Sequence, residues 1–372
     1  MTTRIIAPVF ACAGVALGAL CPIAAAAPGD TTRMEHAVQA LVSQGHFMGA
    51  VLVAKNGKVL LDRGYGSANL ELKVPDTPTT KFRLGSVTKQ FTAASILLLQ
   101  ERGQLKVTDP VSKYLPDAPA AWSQITIFNL LTHTSGIPTY SEFPDFNATK
   151  AVAATPGQLV ARFRDKPLEF QPGSDWKYSN SGYALLGYLI EKISTEAYGK
   201  FVQDNIFAPL GMKDSGYDSN ADIIYGRAEG YTPGPNGSAI NAEYIDMSVP
   251  YAAGGLYSTV EDLLRWEQGL YGGKLLSAVS LQQMTTPFMN EYALGLSVHN
   301  APNGEKIITH GGGIYGFNSQ LTYVPADKLA VIVLGNLNGP AARLIAGQLT
   351  DIALHVVTPP RLPPQSIDES EQ

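Results

Sequence analysis

A serine and a lysine stand three residues apart at the start of a long apolar run. In FRLGSVTKQFTAASILLLQERG, residues 82–103, Gly85 permits a tight turn, and Ser86 and Lys89 follow in the first turn of a predicted helix. Unpaired backbone N–H groups favour negative charge there, and residues three apart share one helical face. A buried lysine amine favours its neutral, basic form, so the pair predicts a nucleophilic hydroxyl beside its base. The alternative interpretation is an N-cap serine with a solvated lysine.

A tyrosine and an asparagine form a second candidate pair, just before another apolar run. Tyr178, Ser179 and Asn180 lie in a predicted turn within FQPGSDWKYSNSGYALLGYLIEKI, residues 170–193. A phenol and a carboxamide on such a turn can extend into a cleft, the phenol as a proton carrier and the amide as donor and acceptor. The alternative interpretation is an aromatic anchor followed by an asparagine helix cap.

A histidine followed by three glycines is the third candidate. In KIITHGGGIYGFNSQ, residues 306–320, the run KIIT predicts a strand, and the glycines after His310 leave an open backbone surface along which a substrate can lie. The alternative interpretation is a plain strand end with a buried histidine. The occurrence of all three groups in one chain favours the catalytic interpretation over the three alternatives.

Two β-hairpins are predicted, one near each end of the chain. The runs MGAVLVA and KVLL, residues 48–54 and 58–61, flank Asn56-Gly57, which is the strongest short hairpin signal. Near the other end, FNSQLTYVP and LAVIVLGN flank a predicted turn at residues 325–327. These elements suggest one antiparallel sheet built from both ends of the chain.

The sequence between the hairpins is mostly helical and is punctuated by proline and glycine. Amphipathic helices are predicted by the periodic runs near residues 87–102, 181–193, 259–270 and 341–356. A helical lobe of about residues 86–289 is therefore inserted into a sheet lobe of about residues 28–85 and 290–357, which together form one domain. We expect the functional site at the junction of the two lobes. The proline-rich, acidic tail, residues 358–372, is predicted to have no fixed fold.

The first 27 residues have the pattern of a secretory signal peptide. An early Arg4 precedes an apolar stretch from about residue 5 to residue 23, and small residues ending in Ala-Ala-Ala follow. The pattern predicts cleavage near Ala26 or Ala27, an exported protein that is periplasmic or secreted, and no stable membrane span after cleavage. The alternative interpretation is a retained membrane anchor.

Both cysteines of the chain, Cys12 and Cys21, fall inside this leader. The mature chain would then contain no cysteine, so we expect neither a disulfide nor a catalytic thiol. Export is inferred from the leader and not from cysteine usage.

Composition and missing motifs narrow the class of function. The formal charge of -5 and the scattered lysines and arginines argue against a nucleic-acid partner. The six histidines are dispersed and form no His-Glu-x-x-His run, so we expect neither a metal nor a cofactor. The sequence has no Gly-x-Ser-x-Gly elbow. His133, Thr134 and Ser135 stand together, but a turn before Gly136 is the expected structure, with a structural role for His133.

The three candidate groups, taken together, resemble the serine β-lactamases and penicillin-recognising DD-peptidases. Within that superfamily the chain resembles the group of class C β-lactamases, secreted DD-carboxypeptidases, D-aminopeptidases and related esterases. The matching residues are SVTK at 86–89, YSN at 178–180 and HGG at 310–312, supported by LLTHTSGIP, PLGM and AAGGLYSTVEDLLRW. The resemblance covers about residues 31–357 and implies an α+β, β-lactamase/transpeptidase-like fold, an antiparallel sheet flanked by helices with an inserted all-helical lobe.

The resemblance also implies roles for the matching residues. Ser86 would be the acylated nucleophile and Lys89 its activating partner, while Tyr178 would relay a proton to the leaving group or act as a neutral donor coupled to Lys89. Asn180 would orient the substrate and bind Lys89. The N–H groups of Ser86 and Gly313 would form the oxyanion hole.

The third motif departs from the β-lactamase pattern, and this departure bears on the substrate. His310, Gly311 and Gly312 stand where β-lactamases present Lys-Thr-Gly or Lys-Ser-Gly, whose cation and hydroxyl bind the carboxylate of the antibiotic. A histidine is mostly neutral at pH 7, so weaker carboxylate recognition is expected. The expected activity is hydrolysis of small ester, amide or peptide substrates through an acyl-enzyme. The alternatives are a β-lactamase or DD-carboxypeptidase and, from a different class, a noncatalytic penicillin-receptor-like binding protein.

Overall fold

Six strands form the main sheet of the protein. The computed structural model of the chain describes Met1, residues 29–301 and residues 304–356. The predicted signal peptide with its two cysteines and the predicted C-terminal tail lie outside these residues. The strands within the described residues are β1 Gly49–Lys55, β2 Lys58–Tyr65, β3 Ser67–Asn69, β4 Val74–Pro75, β5 Phe82–Arg83, β6 Gly216–Tyr217, β7 Tyr231–Pro233, β8 Ala239–Asn241, β9 Leu256–Ser258, β10 Ser297–Asn300, β11 Lys306–Ile314, β12 Phe317–Val324 and β13 Leu329–Gly335. The main sheet is antiparallel, in the order β10, β11, β12, β13, β1, β2.

Helices account for most of the remaining regular structure. The α-helices within the described residues are α1 Asp30–Ser43, α2 Thr88–Glu101, α3 Ile127–Leu131, α4 Phe146–Thr149, α5 Pro156–Ala161, α6 Asn180–Ser194, α7 Tyr198–Val202, α8 Ala208–Leu210, α9 Tyr251–Gly254, α10 Val260–Tyr271, α11 Ala278–Met284 and α12 Ala341–Ala353. Short 3-10 turns include Gly85–Val87, just before α2, and a π-helical turn spans Gln203–Phe207. No helix among the described residues is both long enough and apolar enough to cross a membrane.

Both predicted hairpins are confirmed. Asn56 and Gly57 connect β1 to β2 with φ angles of 52° and 81°, the left-handed conformation that a two-residue type I′ turn requires. The second hairpin joins β12 to β13 in the register that pairs Val324 with Leu329. Because β1 and β13 are adjacent in the sheet, the two ends of the chain contribute to one sheet, as the sequence suggests.

The two faces of the sheet are covered by different parts of the chain. Along β1, Leu52 belongs to the core shared with the inserted helices, whereas Val51 and Val53 belong to a second core. Helices α1 and α12, from the two ends of the described chain, contribute Met34 and Ile345 to that second core. The period of two along a strand places alternate residues on opposite faces, so this central strand is apolar on both sides.

Two expectations need correction in detail. The segment expected to be all-helical also contains strands β6 to β9, and β5, β9 and β6 form a small sheet. These strands are two or three residues long, which is shorter than the runs from which strands are predicted. Helix α2 is buried on all sides rather than on one, with every residue from Thr88 to Leu99 buried, because α6, α7, α9 and α11 all contact it.

Candidate active site

Ser86 lies in the 3-10 turn that leads into α2, at the junction of the sheet and the inserted helices. Gly85 has a φ of +52°, and a Cβ atom at Gly85 would lie 2.9 Å from the backbone N of Gly313. Leu84, the residue before, donates its N–H to Leu256 of β9, and its carbonyl oxygen accepts the Ser319 hydroxyl of β12 at 2.6 Å. Pairing with two sheets therefore fixes the turn that carries the serine.

Lys89 is fully buried one turn after Ser86, and its amine meets only uncharged groups. Its Nζ lies 3.0 Å from Ser86 Oγ, 2.9 Å from Asn180 Oδ1 and 2.9 Å from the Ala253 carbonyl oxygen. Burial lowers the pKa of Lys89 well below its usual value, because no carboxylate compensates for lost water. A neutral amine has two hydrogens, which the amide and carbonyl oxygens can accept, and its lone pair is then directed at the serine hydroxyl.

The YSN turn supplies two of the groups around this amine. Ser179, and not Asn180, caps α6, because its Oγ accepts the N–H of Gly182 at 3.2 Å. The Asn180 side chain therefore does not cap the helix. Its Oδ1 accepts a hydrogen bond from Lys89, and its Nδ2 donates one to Ser141 Oγ at 3.1 Å. This pair of contacts fixes which end of the amide faces the lysine.

Tyr178 completes the convergence that the sequence predicts. Its ring centroid is 4.7 Å from Lys89 Nζ, and its phenol is near enough to the Ser86 side chain for that side chain to affect the pKa of Tyr178. Burial raises the pKa of Tyr178 above its ordinary value, although the Ser86 side chain lowers it in part. The phenol is therefore neutral near pH 7 and is a proton donor in this arrangement.

The glycines of β11 bring a second backbone N–H next to that of Ser86. A Cβ atom on Gly312 would lie 2.1 Å from the Leu84 carbonyl oxygen and 2.9 Å from Ser86 N, so only glycine fits here. Gly313, the next residue, is exposed to the cleft. The backbone of Ser86 and Gly85 thus packs closely against that of Gly312 and Gly313, as a pair of oxyanion-hole donors at Ser86 and Gly313 would require. Strand β11 continues through these glycines to Ile314 and does not end at the histidine.

His310 is buried, and both of its ring nitrogens are occupied within the protein. Nδ1 lies 2.6 Å from the Gly311 carbonyl oxygen, which can only accept, so Nδ1 carries the proton. In the neutral ring, Nε2 then accepts the Tyr292 hydroxyl at 2.9 Å. Burial, with a smaller contribution from Lys89, lowers the pKa of His310 to about 4. A cation for a substrate carboxylate is therefore not available from this ring at pH 7.

His133 packs behind the YSN turn, away from the reacting atoms. Its ring centroid is 4.3 Å from that of Tyr178 and 4.6 Å from that of Tyr292, and its Nδ1 accepts the N–H of Ser179 at 3.1 Å. Burial lowers the pKa of His133 well below its usual value. The Thr134 hydroxyl is engaged with Thr132, 2.9 Å away. A triad of His133 with its neighbours is not formed, as the sequence analysis expects.

Three partners of the site were not identified from the sequence. The Ala253 carbonyl oxygen lies in the AAGG segment, whose sequence marks a close backbone approach but names no acceptor. Ser141 and Tyr292 lie in segments with no catalytic signature, and they reach the site only through the fold. Among residues 29–301 and 304–356, no group of three or more histidines, cysteines or acidic residues is placed to hold a metal ion.

Comparison with known proteins gives consistent matches over most of the chain. The family model described as Beta-lactamase matches residues 34–354. PbpX of Bacillus subtilis (strain 168) is 33% identical over 296 residues, which cover 79% of this chain and 72% of that protein. For several other curated relatives, the chain spans about two thirds, 66%, of their own length.

Two solved structures have a closely similar fold. The octameric penicillin-binding protein homologue from Pyrococcus abyssi superposes with a TM-score of 0.78 at 30% identity, covering 88% of this chain and 78% of that chain. The D-stereospecific amidohydrolase from a Streptomyces species superposes with a TM-score of 0.73 at 27% identity, covering 87% of this chain and 98% of that chain. Both matches span the sheet and the inserted helices described above.

Proposed function

This chain belongs to the Beta-lactamase family and is a serine hydrolase of that family. From this premise we propose that it forms an acyl-enzyme on Ser86 and cleaves ester, amide or peptide bonds of small substrates. The observation that carries the proposal is the contact of 3.0 Å between Ser86 Oγ and a Lys89 amine whose pKa is lowered by burial. A nucleophile with its base at hydrogen-bond distance is the minimum requirement for acyl transfer.

The proposed acylation step follows from the contacts around these two side chains. Lys89 takes the proton of the Ser86 hydroxyl while Oγ attacks the substrate carbonyl, and the N–H groups of Ser86 and Gly313 stabilise the resulting oxyanion. The neutral phenol of Tyr178 then donates its proton to the departing alcohol or amine as the carbonyl carbon loses that bond. Lys89 returns its proton to Tyr178. Water repeats the attack on the acyl-enzyme, the released acid leaves, and Ser86 recovers its proton.

The state of His310 favours ester, amide and peptide substrates over β-lactams. A neutral ring with both nitrogens engaged offers no cation, and the glycine that follows offers no hydroxyl. Charge-assisted hydrogen bonds to a carboxylate are therefore missing on this strand. The similar Streptomyces protein is described as a D-stereospecific amidohydrolase, which supports amide hydrolysis as one activity. A β-lactamase or DD-carboxypeptidase activity is the alternative within the family.

Covalent labelling of Ser86 tests the acyl-enzyme. An alkylfluorophosphonate is expected to add one label to the folded protein, at Ser86, and to label Ser43→Ala equally, since Ser43 is exposed on α1. Ser86→Ala is expected to take up no label and to lose about 10⁴-fold or more in kcat. Absence of label on Ser86 would instead support the noncatalytic binding protein.

A panel of three substrates separates the subclasses. A nitrophenyl ester of a short acid is expected to be hydrolysed faster than a chromogenic cephalosporin or a D-Ala-D-Ala peptide. Efficient turnover of the cephalosporin without esterase activity would contradict this substrate preference and favour the β-lactamase alternative.

We propose that the protein is exported and acts in the periplasm or outside the cell. Residues 1–27 carry the pattern of a signal peptide, and a mature N-terminus near residue 27 or 28 is expected in the periplasmic or secreted fraction. N-terminal sequencing of that fraction checks the proposal. An intact N-terminus in the membrane fraction would instead support a retained anchor.

A further inference from the structure

A polar cavity of about 620 Å³ opens beside the turn between β11 and β12. Tyr315 and Phe317 of this turn line one side, and the loop from Arg227 to Gly230 lines another. The volume lies within the usual range for small-molecule sites. None of the residues assigned to the acyl-transfer site lines this cavity.

The cavity lies on the acyl side of the proposed reaction. Tyr178, the proposed proton donor to the leaving group, packs against Tyr292, whose hydroxyl binds His310. The leaving group therefore lies towards the His310 end of β11, and the acyl group extends past Gly313 in the other direction. Tyr315 follows Gly313 by two residues, in the turn where β11 ends, and two residues of chain span at most about 7 Å. An acyl group about two or three residues long would reach the cavity.

Ion pairs hold the walls of the cavity, one group centred on a buried carboxylate and the other near the surface. Asp218 is fully buried and accepts Arg83 Nε at 2.7 Å and a second hydrogen bond from Arg227. On the opposite side, Lys150 pairs with Glu243 and lies 4.2 Å from the ring centroid of Tyr315. These contacts pre-form the cavity, so a ligand would not have to order it.

The charges of the cavity leave one negative charge in excess. Asp218 and Glu243 face three cations, but Glu71 and Glu229, which also line the cavity, have no ion-pair partner among the described residues. The Tyr231 hydroxyl donates to the Glu71 carboxylate at 2.6 Å. This hydrogen bond is the main reason why the pKa of Glu71 is lowered, and the carboxylate is therefore ionised at neutral pH.

We propose that this cavity is a second recognition site, which binds a protonated amine two or three residues away on the acyl side of the scissile bond. The proposal rests on the proposed acyl transfer at Ser86 for its orientation. It assigns Glu71 and Glu229 as the carboxylates that face the amine, and it makes the acyl portion, rather than the leaving group, the charged part of the substrate.

Glycine esters test the proposal without any effect of stereochemistry. Triglycine ethyl ester carries its ammonium about 10 Å from the scissile carbonyl, and N-acetyltriglycine ethyl ester lacks that charge. The wild-type protein is expected to show a kcat/KM about tenfold higher for the free amine. Glycine ethyl ester and its acetylated form are expected to show a smaller ratio, since their acyl groups are too short to reach the cavity.

Variants that lack the two carboxylate charges test whether the preference for the free amine arises in the cavity. The double variant Glu71→Gln/Glu229→Gln is expected to bring the triglycine ratio close to one. The control Glu35→Gln, at a half-buried position of α1 that does not line the cavity, is expected to keep the full ratio. A ratio near one in the wild-type protein, or a full ratio in the double variant, would overturn the proposal.

A binding measurement separates this proposal from the acyl-transfer proposal. If no ester is hydrolysed, the acyl transfer fails, and the cavity is tested by calorimetry on Ser86→Ala with triglycine amide. A Kd about tenfold lower for the free amine than for its acetylated form supports the cavity. Equal values, or no binding of either peptide, would reject it.

Discussion

Two lysines, one in the proposed catalytic centre and one beside the cavity, both have little exposed surface, but the pKa of one is lowered and the pKa of the other is raised. Lys89 is 0% exposed and Lys150 is 7% exposed. Lys89 contacts a hydroxyl, an amide and a carbonyl, and burial lowers its pKa. Burial also lowers the pKa of Lys150, but hydrogen bonds to Glu243 and Tyr315 outweigh it and raise the pKa overall. Lys89 is the more deeply buried and has no adjacent carboxylate, whereas Lys150 has one, and both differences make Lys89 the lysine that can act as a base.

The same contrast extends to the regions around the two lysines. In the proposed catalytic centre, His133 and His310 also have lowered pKa values, and Tyr178 has a raised one, so the pKa shift of each of these groups favours its neutral form. Around the cavity, the cations are instead paired with Asp218 and Glu243, whereas the Glu71 and Glu229 carboxylates have no ion-pair partner among the described residues. Neutral groups in the centre can exchange protons with a substrate, whereas charged residues in the cavity wall can discriminate between substrates.

The largest expected effect is loss of activity when the base can no longer be neutral. Lys89→Arg keeps a cation in the centre, because a guanidinium group does not lose its proton in a protein. We expect kcat/KM for the nitrophenyl ester to fall by about 10³-fold or more. The matched control Lys58→Arg, on the exposed start of β2, is expected to retain activity. Near-normal activity of Lys89→Arg would show that a neutral lysine is not required.

The pH dependence of kcat/KM tests whether the neutral form of Lys89 is the active one. Only the neutral amine of Lys89 has a lone pair, so wild-type kcat/KM is expected to fall as pH decreases through the lowered pKa of this lysine. The Lys89→Arg variant should lack this limb of the profile. An identical acidic limb in both proteins would assign the titration to another group.

The next largest effect is expected in the wall of the cavity. Asp218→Asn removes the one carboxylate that binds both Arg83 and Arg227, whose side chains are 13% and 21% exposed. Leaving such cations without their partner is expected to cost about 3 kcal/mol in the free energy of unfolding. Urea denaturation measures this loss, with the exposed Asp222→Asn as control. Equal stability of the two variants would show that pairing does not maintain the wall.

Much of the catalytic centre could be predicted from the sequence, because its chemistry is carried by residue types at short, characteristic spacings. Ser86 and Lys89 are one helical turn apart, so local geometry alone brings them together. Tyr178 and Asn180 could be placed near them only through the family resemblance, since Asn180 follows Lys89 by 91 positions and only the fold brings the two together. The first hairpin followed from the turn residues Asn56-Gly57, and the second from two apolar runs on either side of residues 325–327.

The cavity could not be predicted, because its residues carry no local pattern. Glu71, Arg83 and Asp218 come from separate loops and short strands, and their types are common on any protein surface. The contact of Tyr292 with His310 could not be predicted for the same reason. Sequence periodicity indicates which residues are buried, but it does not indicate which buried polar groups will meet.

The smallest expected effect tests whether burial alone keeps the centre neutral or whether hydrogen bonds contribute. Tyr292→Phe retains the ring that packs on His133 and Tyr178 but removes the hydroxyl that donates to His310 Nε2. Loss of one buried, uncharged hydrogen bond corresponds to about 1 kcal/mol, so a decrease of about fivefold in kcat/KM is expected. Nitrogen NMR of the histidine ring should show loss of the single Nδ1–H tautomer. Tyr225→Phe, at a side chain that is 81% exposed, is the matched control. An unchanged tautomer in Tyr292→Phe would mean that the Gly311 carbonyl alone fixes the ring, and that burial is sufficient for its neutrality.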